Sequence, residues 1–410
     1  MASLTDPPRE TFRLSMLLYD TRYRSMTIQV VALIAFMLAI GWLISNTAQN
    51  LAALGKEPSF RFLSQPAGYD INQMLIEYNN QMSHFRAAMV GLLNTLLVAA
   101  LGCITATVLG VIIGVLRLSN NWIVSRLMAV YVEMFRNVPV LLWILLIFAV
   151  VIESLPTPRA FRGDEPEATM KLFESVAFTN RGFYIPGIDF TSPLVSSGFS
   201  WLIVVLVLVA SVIGVRAVRN RATRIQESTG DRPTTWYLQI GIIVVPFVVL
   251  MLLFGAAWNY PELKGFNFKG GIHMRNSLIA LWLALSLYTA AFIAEIVRAG
   301  ILAISKGQSE AAGALGLRPN RIMSLVVLPQ ALRVIIPPLI SNWLNLTKNS
   351  SLAIAVGYMD ITGTLMGITL NQTGRELETL LLGMLIYLII SLTISAVMNW
   401  YNNSVKLVER

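Results

Sequence analysis

Gly307-Gln308-Ser309-Glu310-Ala311-Ala312-Gly313-Ala314-Leu315-Gly316-Leu317-Arg318-Pro319 lies between two long apolar runs. It reads as a short helix, a glycine stop, and a proline near the start of a second helix. Glu310 falls in an early turn, where the helix dipole favours a carboxylate. Ala311 and Ala312 leave a flat surface that another protein could approach closely. Leu328-Pro329, about ten residues on, leads into the next apolar run. A short exposed helix joined at both ends to long helices is a mechanical lever.

The surrounding composition sets the solvent. Apolar residues make up 55% of the 410-residue chain and charged residues 13%, about half the usual charged share of a soluble protein. Too little charge remains to cover a soluble surface. A bilayer-crossing helix needs about 20 apolar residues, and eight segments qualify: 27–45, 89–116, 138–152, 199–215, 237–257, 277–294, 324–346 and 379–401. The first is too long for a signal-peptide core and lacks a small-residue cleavage site, so it reads as a retained anchor. A ninth stretch, 351–370, is interrupted by Gly357, Gly363 and Gly367 and carries Asp360. It reads as a broken segment, tolerated at membrane depth only when buried in protein or lining a cavity.

With a cytoplasmic N-terminus, 19 of the 31 Lys and Arg residues fall on the inner side, among them Arg9, Arg13, Arg117, Arg136, Arg216, Arg219, Lys406 and Arg410. Both termini are then cytoplasmic. The net charge of +9 is the positive-inside excess of a membrane protein and needs no nucleic-acid partner. The two histidines, His84 and His273, and the single Cys103 exclude a disulfide framework and a Cys/His metal site. Cys103 reads as a small buried hydrophobe. Residues 46–88 and 155–198 form long outer loops, the second with the acidic patch Gly163-Asp164-Glu165-Pro166-Glu167. The basic loop Arg216–Arg232 reads as a topology determinant touching anionic headgroups, with protein docking as the minor alternative. Gly110-x-x-x-Gly114 fits close helix packing.

Glu310-Ala311-Ala312, with Gly316 six residues after the Glu and Leu328-Pro329 twelve residues after that Gly, resembles the EAA loop of ABC-importer permeases. The flanks resemble the polar amino-acid subfamily: Gly91-Leu92-Leu93-Asn94-Thr95-Leu96, Phe135-Arg136-Asn137-Val138-Pro139, Ala294-Glu295-Ile296-Val297-Arg298-Ala299-Gly300, Leu328-Pro329-Gln330-Ala331-Leu332-Arg333, Ile336-Pro337-Pro338 and Lys348-Asn349-Ser350-Ser351-Leu352. Where the family usually has Gly-Thr-Pro, this chain has Asn137-Val138-Pro139.

The resemblance implies an all-α polytopic membrane protein of about eight transmembrane helices, with the type I ABC-importer permease fold and a five-helix core. Residues 1–88 are expected to hold an N-terminal segment, the first helix and an outer loop. Residues 89–400 would be the permease domain, with an insertion at about 155–270 that carries two extra helices, and 401–410 a cytoplasmic tail. The whole is similar to general L-amino-acid permeases of the Aap/Bzt type. Glu310, Ala311, Ala312 and Gly316 are the implied ATPase-coupling residues.

The chain has no G-x-x-x-x-G-K-[ST] run. ATP is therefore expected on a separate ATPase dimer, with no catalytic residue, cofactor or metal on this chain. The further partners implied are a second homologous permease in a heterodimer (a homodimer being the runner-up), a periplasmic amino-acid-binding protein, an L-amino-acid substrate and membrane lipid, in a bacterial inner membrane.

Ionisable and polar groups inside a bundle are costly and point to function. The substrate-pathway candidates are Tyr288, Thr289, Glu295, Arg298, Asn349, Ser350 and Ser351. Two readings are open for each group. Glu295 and Arg298 either face substrate or pair with each other at i,i+3. Asn349, Ser350 and Ser351 either line a cavity, which a kink at Pro337-Pro338 would open, or cap a helix end.

A stand-alone secondary amino-acid transporter is the alternative function. Such carriers often show internal repeats, and the pattern of residues 307–338 has no second copy in the first half. An intramembrane enzyme lacks support, since neither H-E-x-x-H nor G-x-S-x-G occurs.

Overall fold

The computed structural model describes residues 16–405 except 57, 164 and 193–196. Arg9, Arg13, Lys406, Arg410, Asp164 and the second half of the expected tail 401–410 lie outside the described residues. Two compact units divide at Phe60/Arg61. The first holds the short α1 (Met16–Tyr19) and the 33-residue α2 (Thr21–Ala53).

In the second unit, α3 (His84–Leu116) opens at Ser83, whose hydroxyl accepts from the Arg86 amide at 3.3 Å. It is followed by α4 (Trp122–Asn137), with Asn121 as N-cap accepting from two amides, and by α5 (Val140–Ser154). Then come α6 (Ser197–Thr229), α7 (Trp236–Leu253) and α8 (Asn276–Leu302). The short α9 (Lys306–Ala314) and α10 (Pro319–Ile322) precede α11 (Leu328–Asn349), α12 (Leu370–Thr373) and α13 (Glu376–Val405). Among the described residues, eight helical stretches are long and apolar enough to cross a membrane.

The eight expected spans are all present, with altered ends. The fourth, expected at 199–215, continues as α6 to Thr229, so the basic loop Arg216–Arg232 is mostly helix. The arginines end the apolar stretch without ending the helix, because Arg and Ala are good helix formers. The seventh begins earlier, at Pro319, and passes through a π-turn at Met323–Val327 into α11. Pro329 lacks an N–H and its ring crowds the preceding turn, and a π-turn just upstream accommodates that. α11 runs on through Pro337 and Pro338. The broken ninth stretch is a 3₁₀ segment, Ser350–Val356, then Gly357 at φ 68°, then a π segment, Thr362–Thr369.

Two features add to the eight expected spans. α4 is an amphipathic helix that hydropathy alone passes over; Val132 and Phe135 are its buried residues. Residues 177–274 also carry seven short strands beside α6 and α7. β1 (Ala177–Thr179), β2 (Gly182–Ile185) and β7 (Ile272–Met274) form one antiparallel sheet, with Ala177 opposite Tyr184 and Tyr184 opposite His273. β3 (Gly187–Phe190) pairs with β4 (Ala256–Asn259), and β5 (Glu262–Lys264) with β6 (Asn267–Lys269). Strands of three or four residues are too short to show alternation in a sequence.

The core is built around α8, against which α3, α4, α5 and α11 pack. Ala280, Ala284, Ala290, Ala291 and Ala294 on α8 are all fully buried. A Cβ at Gly110 of α3 would lie 2.6 Å from the Ile293 Cβ, and one at Gly114 would lie 2.7 Å from the Ala294 carbonyl oxygen. Only glycine fits at this approach, and that is the physical content of the G-x-x-x-G spacing. Two indoles fasten the neighbours to α3: Trp282 Nε1 donates to Thr105 Oγ1 at 3.0 Å, and Trp343 Nε1 to Thr107 Oγ1 at 2.9 Å.

Candidate functional site

α9 stands between α8 and the π-turn that leads into α11, and it packs on both α10 and that turn. Its end has a specific chemistry. The Leu317 amide donates to the Ala312 carbonyl at 3.3 Å and the Gly316 amide to the Gly313 carbonyl at 2.9 Å, with Gly316 at φ 80°. This 6→1 and 5→2 pairing is a Schellman cap, and it needs a residue without Cβ strain at the left-handed position. Gly316 therefore has a local structural reason. Glu310 and Ala311 are exposed, while Ala312 turns inward at 6% exposure. The two alanines thus do not share one outer face. Leu315, 83% exposed, joins Glu310 and Ala311 on the open surface.

The pathway candidates separate into two places. On α8, Glu295 accepts from two guanidiniums. Arg298 reaches it at 2.5 Å, and Arg117, just past the end of α3, closes on its other oxygen. The carboxylate is thus held in an ion clamp between two helices. Tyr288 packs against Phe292 with ring centroids 5.0 Å apart, and Thr289 is buried. Tyr288 sits among the aromatic and apolar contacts of α4 with α8, where Tyr131 Oη donates to the Leu287 carbonyl at 2.7 Å.

At the end of α11, Ser350 and Ser351 each donate to the carbonyl three residues back, Thr347 and Lys348, both at 2.8 Å. Asn349 is half-buried. Leu346 of this region meets Gly102 of α3. Gly102 and Arg117 are 15 residues apart on α3, roughly 22 Å along the axis at 1.5 Å per residue, so the two groups do not form one site.

The family described as "Binding-protein-dependent transport system inner membrane component" matches residues 221–406. The Glutamate/glutamine/aspartate/asparagine transport system permease protein BztB of Rhodobacter capsulatus is 58% identical over all of both chains. The chain belongs to the amino-acid ABC permeases. Two other relatives agree in length as well as sequence. The Putative amino-acid ABC transporter permease protein YhdX of Escherichia coli K12 is 45% identical over 98% of this chain and 99% of its own. The General L-amino acid transport system permease protein AapQ of Rhizobium johnstonii is 43% identical over 98% and 96%. With eight apolar helices among its described residues, the permease is a multi-pass inner-membrane protein.

A buried polar network of this permease emerges only from the structure. Asp360 is fully buried and accepts from the Gly363 amide at 2.9 Å and from Tyr387 Oη at 3.0 Å. Tyr387 Oη also lies 3.1 Å from Thr362 Oγ1 and 3.5 Å from Ser350 Oγ. This network ties the end of α11 to α13. On the other side, Asn94 Nδ2 donates to the Gln73 and Met359 carbonyls, both at 2.8 Å, and Thr95 Oγ1 accepts from the Ile361 amide at 3.1 Å. Gly91-x-x-Asn94-Thr95 is thus the dock of the broken segment on α3. The sequence signal for this centre was Asp360 in an otherwise apolar stretch. Its partners are 27 and about 265 residues away and left no local trace.

Proposed function

We propose that this permease moves L-amino acids from periplasm to cytoplasm within an ATP-driven importer, and that α9 receives the stroke of a separate ATPase dimer. The observation that carries the reading is the exposed, Schellman-capped helix placed between α8 and the π-turn of the next span. Glu310, Ala311 and Leu315 form its open face, and Ala312 and Gly316 fix its seating and its end. A push on such a helix is delivered directly to two spans. ATP is bound and hydrolysed by the partner, and this reading calls for no cofactor or metal on the permease chain. The name of BztB supports acidic amino acids and their amides as substrates, and that of AapQ a general L-amino-acid range.

The remaining assembly follows the same reading: a second, related permease completes a heterodimer, and a periplasmic binding protein delivers substrate. The N-terminus and the tail are cytoplasmic, which places α9 and the basic end of α6 on the ATPase side. The region of about 155–270, with α6, α7 and the small sheets, is an addition to a five-helix core of α3, α5, α8, α11 and α13.

Exchange of Glu310 for Lys tests the coupling. Glu310→Lys is expected to abolish uptake of labelled glutamate or glutamine in cells, with membrane levels of the permease unchanged. Normal uptake by the variant would refute the assignment.

A further inference from the structure

α6 and α7 form an antiparallel hairpin whose contact seam on α6 runs through the buried Ser211 and Ala222 and the half-buried Val218. A Cβ at Gly214 would lie 3.2 Å from Ile242 Cγ2, so the helices approach closely there. On one flank of the seam, Arg219 Nε donates to Gln239 Oε1 at 3.0 Å and closes the gap. The other flank is open. It holds a groove of about 570 Å³ lined by Val207, Ala210, Tyr237, Gly241, Val245 and Pro246 among others.

The groove has an apolar length and a cationic end. From Tyr237 to Pro246 is nine residues, about 14 Å of helix, which matches one leaflet of a hydrocarbon core about 30 Å thick. On α6, Arg221 follows Ala210 and Gly214 by eleven and seven residues, which at 3.6 residues per turn puts it on the groove flank. Arg224 lies one turn further. Both are exposed, and no hydrogen bond or ion pair engages either among the described residues. Trp236 and Tyr237, 67% and 55% exposed, mark the same end as a headgroup level, where such rings collect. Arg219 is directed to the opposite flank by Gln239. Glu227 is about 120° round the helix from Arg221; it is an i,i+3 neighbour of Arg224, but no ion pair joins those two among the described residues.

We propose that this flank is a binding site for an anionic membrane phospholipid, with one acyl chain in the α6–α7 groove and the headgroup phosphate on Arg221 and Arg224. A neutral zwitterionic lipid fits the groove but leaves the two guanidiniums without net charge compensation. The charge complementarity therefore selects the anionic class.

Native mass spectrometry of the full-length chain in mild detergent, with phosphatidylglycerol or phosphatidylcholine added, tests this. Wild type is expected to retain phosphatidylglycerol about tenfold better than phosphatidylcholine. The double variant R221Q/R224Q is expected to lose that preference. Gly241→Leu, whose Cβ meets no atom within 4 Å, fills the groove without disturbing the helices and is expected to lose the lipid altogether. Arg219→Gln, on the closed flank, is expected to match wild type. The proposal is overturned if the two lipids bind equally, if R221Q/R224Q binds as wild type does, or if Arg219→Gln loses as much. A polypeptide found seated in the groove in place of lipid would overturn it too.

Discussion

α7 is the more apolar of two spans that hydropathy alone would treat alike, yet none of its most apolar window is buried in the protein, while two-thirds of the corresponding window of α8 is. The difference lies in side-chain size. α8 presents Ala280, Ala284, Ala290, Ala291 and Ala294 to its neighbours, and α3 answers with Gly110 and Gly114. α7 presents mainly Ile, Val, Leu and Phe. Lipid chains solvate those residues as well as protein does. In a membrane, burial therefore follows close packing of small residues rather than apolarity.

Paired substitutions give the sharpest test of that contrast. Gly110→Val places atoms against Ile293 and the Ala290 carbonyl, and it is expected to cost about 1–3 kcal/mol or to prevent folding. Gly241→Leu on α7 is expected to change stability by less than about 0.5 kcal/mol. Thermal unfolding in detergent, followed by tryptophan fluorescence, reads both. Equal losses would break the comparison.

Glu295→Gln probes the polar side of the same α3–α8 contact. It leaves Arg117 and Arg298 facing each other without the carboxylate, at an expected cost of about 1–3 kcal/mol. A neutral outcome in the same unfolding assay would make the clamp a surface ion pair of little consequence.

Tyr387→Phe removes one donor to Asp360 and is expected to cost about 1 kcal/mol. The readout is faster hydrogen exchange confined to residues 350–370. Exchange that rises evenly over α13 instead would place the effect in that helix and not in the network.

The spans were legible because twenty apolar residues have few other fates. The broken segment was legible for a different reason: Gly357, Gly363 and Gly367 interrupt it, and Gly357 does sit in the left-handed region at φ 68°. α4 was not legible from hydropathy, since its apolar residues occupy one face only. The short helix that carries Glu310, and its glycine cap at Gly316, were readable from spacing. The pairing of Glu295 with Arg298 was readable as an i,i+3 neighbour. Arg117 was not, because it comes from 178 residues away. The inward turn of Ala312 was also hidden, since adjacent helical residues point about 100° apart.

The clamp on Glu295 also bears on how the sequence can drift. One carboxylate serves two cations, so the three positions are not equivalent. Loss of either arginine leaves a neutral pair, and the remaining partner keeps its bond. Loss of Glu295 leaves two like charges, half-buried and facing each other. Among descendants of this chain, Arg117 or Arg298 is free to change first. Glu295 is free only after one of them has gone, and the order of replacement is written into the geometry.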